Sequence, residues 1–183
     1  MQYKFKYQNL IQQSINWFKI NKNFMIYNMP VQTQIGHVHL KVSSIEGSLK
    51  FYCDILGFKV MQRFGDSAAF ISAGGYHHHI GLNTWHSKGA GPAPVNAVGL
   101  YHTAILYPTK KELAAIVSRL QELNYPLTGA ADHGVSLAIY LNDPDGNGVE
   151  LYWDKPQTAW PFDASGNLQM VSDPLDWEDL MNA

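Results

Sequence analysis

The stretch GVSLAIYLNDPDGNGVELYWD, residues 134–154, decides the fold. Two apolar, β-prone runs flank Asp-Pro-Asp-Gly at 143–146, a strong turn signal. Glu150 lies in the second run between Val149 and Leu151. A carboxylate there is costly unless it is ionically paired, hydrogen-bonded or bound to a metal. The stretch therefore predicts two strands around a tight turn, with a candidate functional Glu on the second.

Working upstream, the same order of elements occurs twice. A strand, a helix and further short strands fill residues 35–85, and a strand, a helix and the stretch above fill residues 99–154. Two such units can curl around a cavity that neither closes alone. We predict an α+β fold of two tandem βαβββ modules whose mixed sheet curls around a metal cavity. The predicted boundaries are an N-terminal extension, loosely ordered, at 1–30, module one at 31–88, a Gly/Pro-rich linker at 89–98, module two at 99–154, and a C-terminal strap at 155–183.

Composition excludes several classes of function. The chain has 183 residues, a net charge of −2 and no block of like charge, which argues against nucleic-acid binding. No apolar run is long enough for a membrane span, and residues 1–29 lack the pattern of a signal peptide, so a cytoplasmic enzyme is expected. With Cys53 as the only cysteine, neither an intrachain disulfide nor a multi-cysteine zinc site can form.

The repeat singles out three candidate metal ligands. His37 and His102 occupy matched positions near the start of each module's first strand, and Glu150 lies on the last strand. Two histidines and a carboxylate are the ligand set of non-haem Fe(II) sites, which leave positions open for substrate and oxygen. Taken singly, each residue is more simply an ordinary strand residue. Spacing alone leaves both interpretations open.

Three consecutive histidines, residues 77–79, precede the last strand of module one. When module one is aligned on module two, Gly81 takes the position of Glu150 and His39 takes the position of Ala104. Side chains two apart on a strand share a face, so His79 is predicted to face the cavity and to handle a proton. His78 is predicted to point elsewhere, and His77 to lie farther out. An ordered polar patch is the alternative for all three.

Residues 35–154 resemble the vicinal-oxygen-chelate superfamily of glyoxalases, bleomycin-resistance proteins and extradiol dioxygenases. The catechol 2,3-dioxygenase-like branch is the most similar, through HHIGLNTW at 78–85 and DPDGNGVELYWD at 143–154. The extradiol signature fits from His133 through Tyr140 to Glu150, apart from Ala131. The resemblance implies three sets of residues: Fe(II) ligands at His37, His102 and Glu150; an acid–base residue at His79 with His78 beside it; and a pair that hydrogen-bonds substrate and oxygen intermediates at His133 and Tyr140.

The implied activity is extradiol cleavage of a small aromatic vicinal diol by O2. Fe(II) is the expected cofactor, with Mn(II), Ni(II) or Zn(II) as alternatives for such ligands. One alternative is a glyoxalase-type isomerase or lyase, although Gly81 stands where those enzymes use a carboxylate ligand. The other is a metal-free small-molecule binding protein, although the three ligands are all present. Typical extradiol enzymes have four modules and this chain has two. A homodimer is compatible with the pattern, because modules can be exchanged between chains.

Overall fold

The observed strands follow the repeated order. In the computed structural model, which describes residues 26–183, module one contains β1 (Val38–Lys41), α1 (Ile45–Leu49), β2 (Lys59–Phe64), β3 (Ala68–Ser72) and β4 (Ile80–Asn83). Module two contains β5 (His102–Leu106), α2 (Lys110–Glu122), β6 (Leu127–Asp132), β7 (Ser136–Asn142) and β8 (Gly148–Asp154). The α+β class and the two tandem βαβββ modules are confirmed.

The two modules have the same sheet topology. The strand orders are β1-β4-β3-β2 and β5-β8-β7-β6. In each sheet the first strand runs parallel to the last, and the other neighbours are antiparallel. The strands thus form two four-stranded mixed sheets where the repeat predicted one curled sheet. The register pairs His39 with Gly81 in module one and Ala104 with Glu150 in module two, which agrees with the alignment that matches His39 with Ala104 and Gly81 with Glu150.

The sequence offers Ser43 or Ser44 as the cap of the first helix and Thr109 as the cap of a second helix over 110–125, and each helix begins at one of these residues. The Ser44 hydroxyl accepts from the Gly47 amide at 3.2 Å, and the Thr109 hydroxyl accepts from the Glu112 amide at 3.2 Å. The first helix continues from α1 as a π-helical segment, Lys50–Ile55, and the chain leaves it through Gly57 at φ 86°. The π-helical segment was not predicted. α2 ends at Glu122, three residues earlier than its predicted end at 125.

The turn at 143–146 of module two forms hydrogen bonds with module one. Asp143 is buried, and its carboxylate accepts from the Asp145 and Asn147 amides and from the Asn147 side chain, each at 2.9 Å. The buried Tyr52 hydroxyl of module one donates to the same carboxylate at 3.1 Å. The Asp145 carboxylate accepts from the Ser43 amide at 3.0 Å. A single apolar core containing residues of both modules lies around this contact.

The sequence offers Trp160, Phe162 and Leu175 as anchors of the C-terminal strap, and the strap packs through fewer of them. Leu175 is buried, as expected, and Leu180 of the short helix α3 (Trp177–Met181) joins it in the core. The Trp160 indole donates to the Lys155 carbonyl at 2.8 Å. Phe162, also predicted as an anchor, is 55% exposed, so that prediction was wrong. It pairs instead with Leu168 of the strap itself.

The chain divides into units at 1–35 and 36–183. Residues 1–25 of the predicted extension lie outside the described residues, and 26–35 carry neither helix nor strand. Across residues 26–183, no helix has the length and apolar character needed to span a membrane.

Candidate metal centre

Parallel pairing of β5 with β8 brings His102 and Glu150 together. His102 Nε2 lies 2.9 Å from Glu150 Oε2. Glu150 is buried, at 9% exposed. Gly148 permits the approach, because a Cβ at that position would overlap the Tyr101 carbonyl oxygen and lie 3.1 Å from His102 Cβ. The costly strand carboxylate is thus paired with an imidazole.

Tyr140 on β7 connects this pair to His133. Tyr140 lies directly opposite Glu150 in the β7–β8 register, and its hydroxyl is 3.4 Å from Glu150 Oε1. The same hydroxyl is 2.6 Å from His133 Nε2, and His133 Nδ1 is 2.8 Å from the Val171 carbonyl oxygen. Burial, followed by the charge of Glu150 and the hydrogen bond to it, raises the pKa of Tyr140 to about 12. The phenol therefore keeps its proton at neutral pH and can donate it in a hydrogen bond.

The His102–Glu150 pair has the spacing of two ligands of one ion. Ligand atoms bound at right angles, each about 2.1 Å from a metal, are about 3 Å apart, which matches the 2.9 Å separation. Within residues 26–183, no group of three or more His, Cys, Asp or Glu side chains is arranged to hold a metal ion. His37, the third predicted ligand, lies elsewhere: its ring is 4.4 Å from the His78 ring. The structure thus brings together two of the three predicted ligands.

The three consecutive histidines have different surroundings. His79 Nδ1 accepts from the Ala73 amide at 3.3 Å and lies 2.9 Å from the Ser72 hydroxyl. His78 Nδ1 is 2.7 Å from His77 Nδ1. Burial, followed by the neighbouring histidines His37 and His77, lowers the pKa of His78, so its ring is neutral at neutral pH.

Residues 77–79 precede β4, which begins at Ile80, so strand alternation does not extend to them. The His78 ring contacts His37 and Phe70. His77 and His78 also line a cavity of about 370 Å³ with Met61, Gln62, Phe64 and Phe70. No prediction identified this cavity, because its wall combines β2, β3 and the segment before β4.

Residues 34–151 match the family model of the Glyoxalase/Bleomycin resistance protein/Dioxygenase superfamily. The chain belongs to this superfamily. The family resemblance carried by the sequence motifs is confirmed.

Two dioxygenases are among the similar members of the superfamily. The chain is 41% identical over 150 residues to a catechol-2,3-dioxygenase of Bacillus subtilis (strain 168), covering 81% of this chain and 51% of that protein. It is 29% identical over 126 residues to biphenyl-2,3-diol 1,2-dioxygenase 3 of Rhodococcus globerulus, covering 69% and 66%. The chain thus spans about half the length of the first relative and two thirds of the second.

The superfamily fold is also found in solved structures. A lactoylglutathione lyase from Agrobacterium tumefaciens matches with a TM-score of 0.54 at 21% identity, over 68% of this chain and 96% of that one. At this identity the match concerns the fold alone.

The first module differs from the second at the position that corresponds to Glu150. A Cβ added at Gly81 would lie 2.9 Å from His39 Cγ, and the ring is within 3.0 Å at two further atoms. In module two the register partners are Ala104 and Glu150, so the large and small residues are exchanged. This superfamily member therefore has no space for a side chain at 81 while the His39 ring stays in place.

Two hydrogen-bond partners of the candidate site residues were not predicted from the sequence. The Val171 carbonyl, which binds His133, lies 38 residues away in the strap. A backbone carbonyl leaves no signature in a sequence. Ser72, next to His79 Nδ1, lies at the end of β3, and its role was hidden because the turn at 73–79 folds back on that strand.

Proposed function

We propose that this chain supplies the active site of an extradiol-type dioxygenase that opens a small aromatic vicinal diol with O2. The observation that carries the proposal is the connected set Glu150, His102, Tyr140 and His133, in which a buried carboxylate contacts both an imidazole and a protonated phenol. The similarity to a catechol-2,3-dioxygenase supports the same reaction class.

His102 and Glu150 are the adjacent pair that would hold the metal, and His37, the proposed third ligand, would have to move to join them. Imidazole and carboxylate donors suit Fe(II), and they also accept Mn(II), Ni(II) or Zn(II). When bound, Fe(II) supplies a centre that holds the diol oxygens and O2 side by side and exchanges electrons with them. The buried position of Glu150 gives its charge a strong effect on whatever binds there, because little water screens it.

The remaining residues handle protons and orient the substrate. Tyr140 carries a proton at neutral pH; in the substrate-free protein its hydroxyl donates that proton to His133, and it can turn the proton toward a negatively charged oxygen of the substrate or of an intermediate. His133 is the hydrogen-bond partner that holds this hydroxyl. We assign acceptance of the diol proton to His79, with His78 beside it, since histidine is the side chain most often used for proton transfer in catalysis.

The structure disfavours the isomerase alternative at one position. An isomerase of the glyoxalase type uses a module-one carboxylate, which the module alignment would place at residue 81. The His39 ring blocks that space, so a carboxylate there requires His39 to move. A metal-free binding protein is disfavoured because it has no need for a buried Glu150 beside His102.

The test is formation of a ring-opened product by the Fe(II)-loaded protein. The protein is purified without oxygen, loaded with Fe(II), and mixed with air and a panel of catechols, while the absorbance of the semialdehyde product is followed. We expect product with wild type and with the control Glu122→Gln, which changes an exposed glutamate of α2. We expect none with Glu150→Gln. Equal product formation by Glu150→Gln would contradict the assignment.

A further inference from the structure

His133 is held by the backbone of the C-terminal strap. The Val171 amide donates to the His133 carbonyl at 3.1 Å, and His133 Nδ1 lies 2.8 Å from the Val171 carbonyl oxygen. Next to this contact, Asp132 and Asp173 exchange both backbone hydrogen bonds at 2.9 Å. The strap thus adds a short antiparallel pairing to the end of β6, and the His133 ring is part of it.

A glycine and an ion pair keep the strap close to His133. A Cβ at Gly134 would lie 3.0 Å from Pro161 Cγ and 3.4 Å from Val171 Cγ2, so the strap contacts the main chain directly. Gly134 has φ 77°, a conformation that other residues rarely adopt. Lys155 at the start of the strap binds Asp132 at 2.6 and 2.7 Å. The strap is therefore anchored on both sides of the histidine.

The contact fixes which nitrogen of His133 carries the proton. A carbonyl oxygen only accepts hydrogen bonds, so Nδ1 of His133 must be the donor at 2.8 Å. In a neutral imidazole the other nitrogen, Nε2, then has a lone pair and accepts. Because Nε2 is 2.6 Å from the Tyr140 hydroxyl, the phenol proton points at His133.

The opposite tautomer would reverse the direction of this hydrogen bond. With its proton on Nε2, His133 would donate to the Tyr140 oxygen, and the phenol proton would turn to its second neighbour, Glu150 Oε1 at 3.4 Å. A phenol proton donated to Glu150 Oε1 occupies a lone pair that this oxygen could otherwise offer to another partner. The tautomer of His133 thus decides whether Glu150 Oε1 already accepts a hydrogen bond from Tyr140.

We propose that the strap is a positioning element of the site, in which the Val171 carbonyl holds His133 as the Nδ1–H tautomer and so directs the Tyr140 proton away from Glu150. Val171 is a positioning residue because it acts only through His133. The catalytic consequence rests on the proposed function above. The tautomer itself does not, because it belongs to the metal-free protein.

The test reads the tautomer by NMR of the full chain, metal-free, with ¹⁵N-labelled histidine. The His133 signals are assigned by their loss in His133→Gln. We expect wild type to show an acceptor Nε2 and a protonated Nδ1 for His133. A wild-type spectrum with the proton on Nε2 overturns the proposal without any further variant.

Variants at Val171 then test the strap. Val171→Pro removes the amide that donates to His133 and should give a mixture of both tautomers, whereas Val171→Ala keeps the backbone contact and should match wild type. If Val171→Pro does not fold, Val171→Gly, which loosens the same backbone, should give a smaller shift toward the mixture. An unchanged Nδ1–H form in a folded Val171→Pro protein contradicts the role of the contact.

Activity measurements distinguish a failure of this proposal from a failure of the proposed function. In the Fe(II)-loaded protein we expect Val171→Pro to lower kcat about 10–100-fold, the usual effect of losing a group that orients a residue in contact with a ligand. KM should stay close to the wild-type value. If the tautomer changes as expected but neither protein opens a catechol, the proposed function fails and the positioning role stands. A normal kcat with a changed tautomer limits the strap to a structural role and overturns the functional part of the proposal.

Discussion

Replacing Tyr140 by Phe tests the site at its central contact. The change removes one oxygen, which lies 2.6 Å from His133 Nε2 and 3.4 Å from Glu150 Oε1. Only the first distance is that of a strong hydrogen bond, and the side chain is half-buried, so water can replace part of the loss. We expect the free energy of unfolding to fall by about 0.5–1.5 kcal/mol.

The expected loss of activity is larger than the loss of stability. A donor aimed at charge that develops during the reaction contributes about 100-fold to the rate. A 100-fold decrease in kcat corresponds to about 2.7 kcal/mol, which exceeds the stability of the lost hydrogen bond. The effect on kcat therefore cannot be explained by partial unfolding.

The assay compares two tyrosines that lose similar hydrogen bonds. Tyr125→Phe is the matched control, because its hydroxyl donates to the Asn142 carbonyl at 2.7 Å and, within residues 26–183, makes no hydrogen bond to Glu150. Oxygen uptake of the Fe(II)-loaded variants with catechol gives kcat, and urea unfolding gives stability. We expect similar stabilities and a kcat that falls about 100-fold in Tyr140→Phe alone. A kcat for Tyr140→Phe equal to that of Tyr125→Phe would refute the reasoning.

Three further predictions concern the buried carboxylate of Asp143, the buried phenol of Tyr52, and Gly81, where the His39 ring leaves no space for a side chain. Asp143→Ala should lower the unfolding free energy by about 3 kcal/mol in urea titrations, because the buried Tyr52 hydroxyl and two backbone amides lose their acceptor; a loss below about 1 kcal/mol contradicts this. Burial, then the charge of Asp143 and its hydrogen bond, raises the pKa of Tyr52 above its usual value of about 10. The native state keeps a proton that the unfolded chain releases, so stability should fall as pH rises above about 10, and Tyr52→Phe should flatten this decline; an equal decline in both proteins argues against it. Gly81→Ala should destabilise by about 1–3 kcal/mol in thermal unfolding, and His39→Ala in the same chain should restore most of the loss; additive losses would show that the two residues do not collide.

The fold was predictable because its signals are local and occur twice. The capping residues Ser44 and Thr109 and the turn at 143–146 all lie where the periodic patterns predicted element boundaries. The alignment of the two modules also matched Gly81 with Glu150 and His39 with Ala104, and the strand pairs of the two sheets agree with that match. A repeat carries this information because matched positions in two modules occupy equivalent places in two sheets.

The site residues were predictable from the sequence only where they lie on regular strands. His102, Tyr140 and Glu150 lie on regular strands, and the structure brings them together. His78 and His79 precede the first residue of β4, where side-chain alternation does not apply. The position of His37 depends on how the segment before β1 packs, which no local pattern specifies. Val171 contributes a carbonyl, which every residue has, so only three-dimensional contact identifies it.

The most direct test of the central claim is the stoichiometry of oxygen and catechol consumption by the Fe(II)-loaded protein. The account predicts one molecule of O2 consumed for each catechol ring opened, with this uptake lost in Glu150→Gln and retained in Glu122→Gln. A protein that binds the metal through Glu150 but consumes no oxygen with any vicinal diol would contradict the account and favour an isomerase.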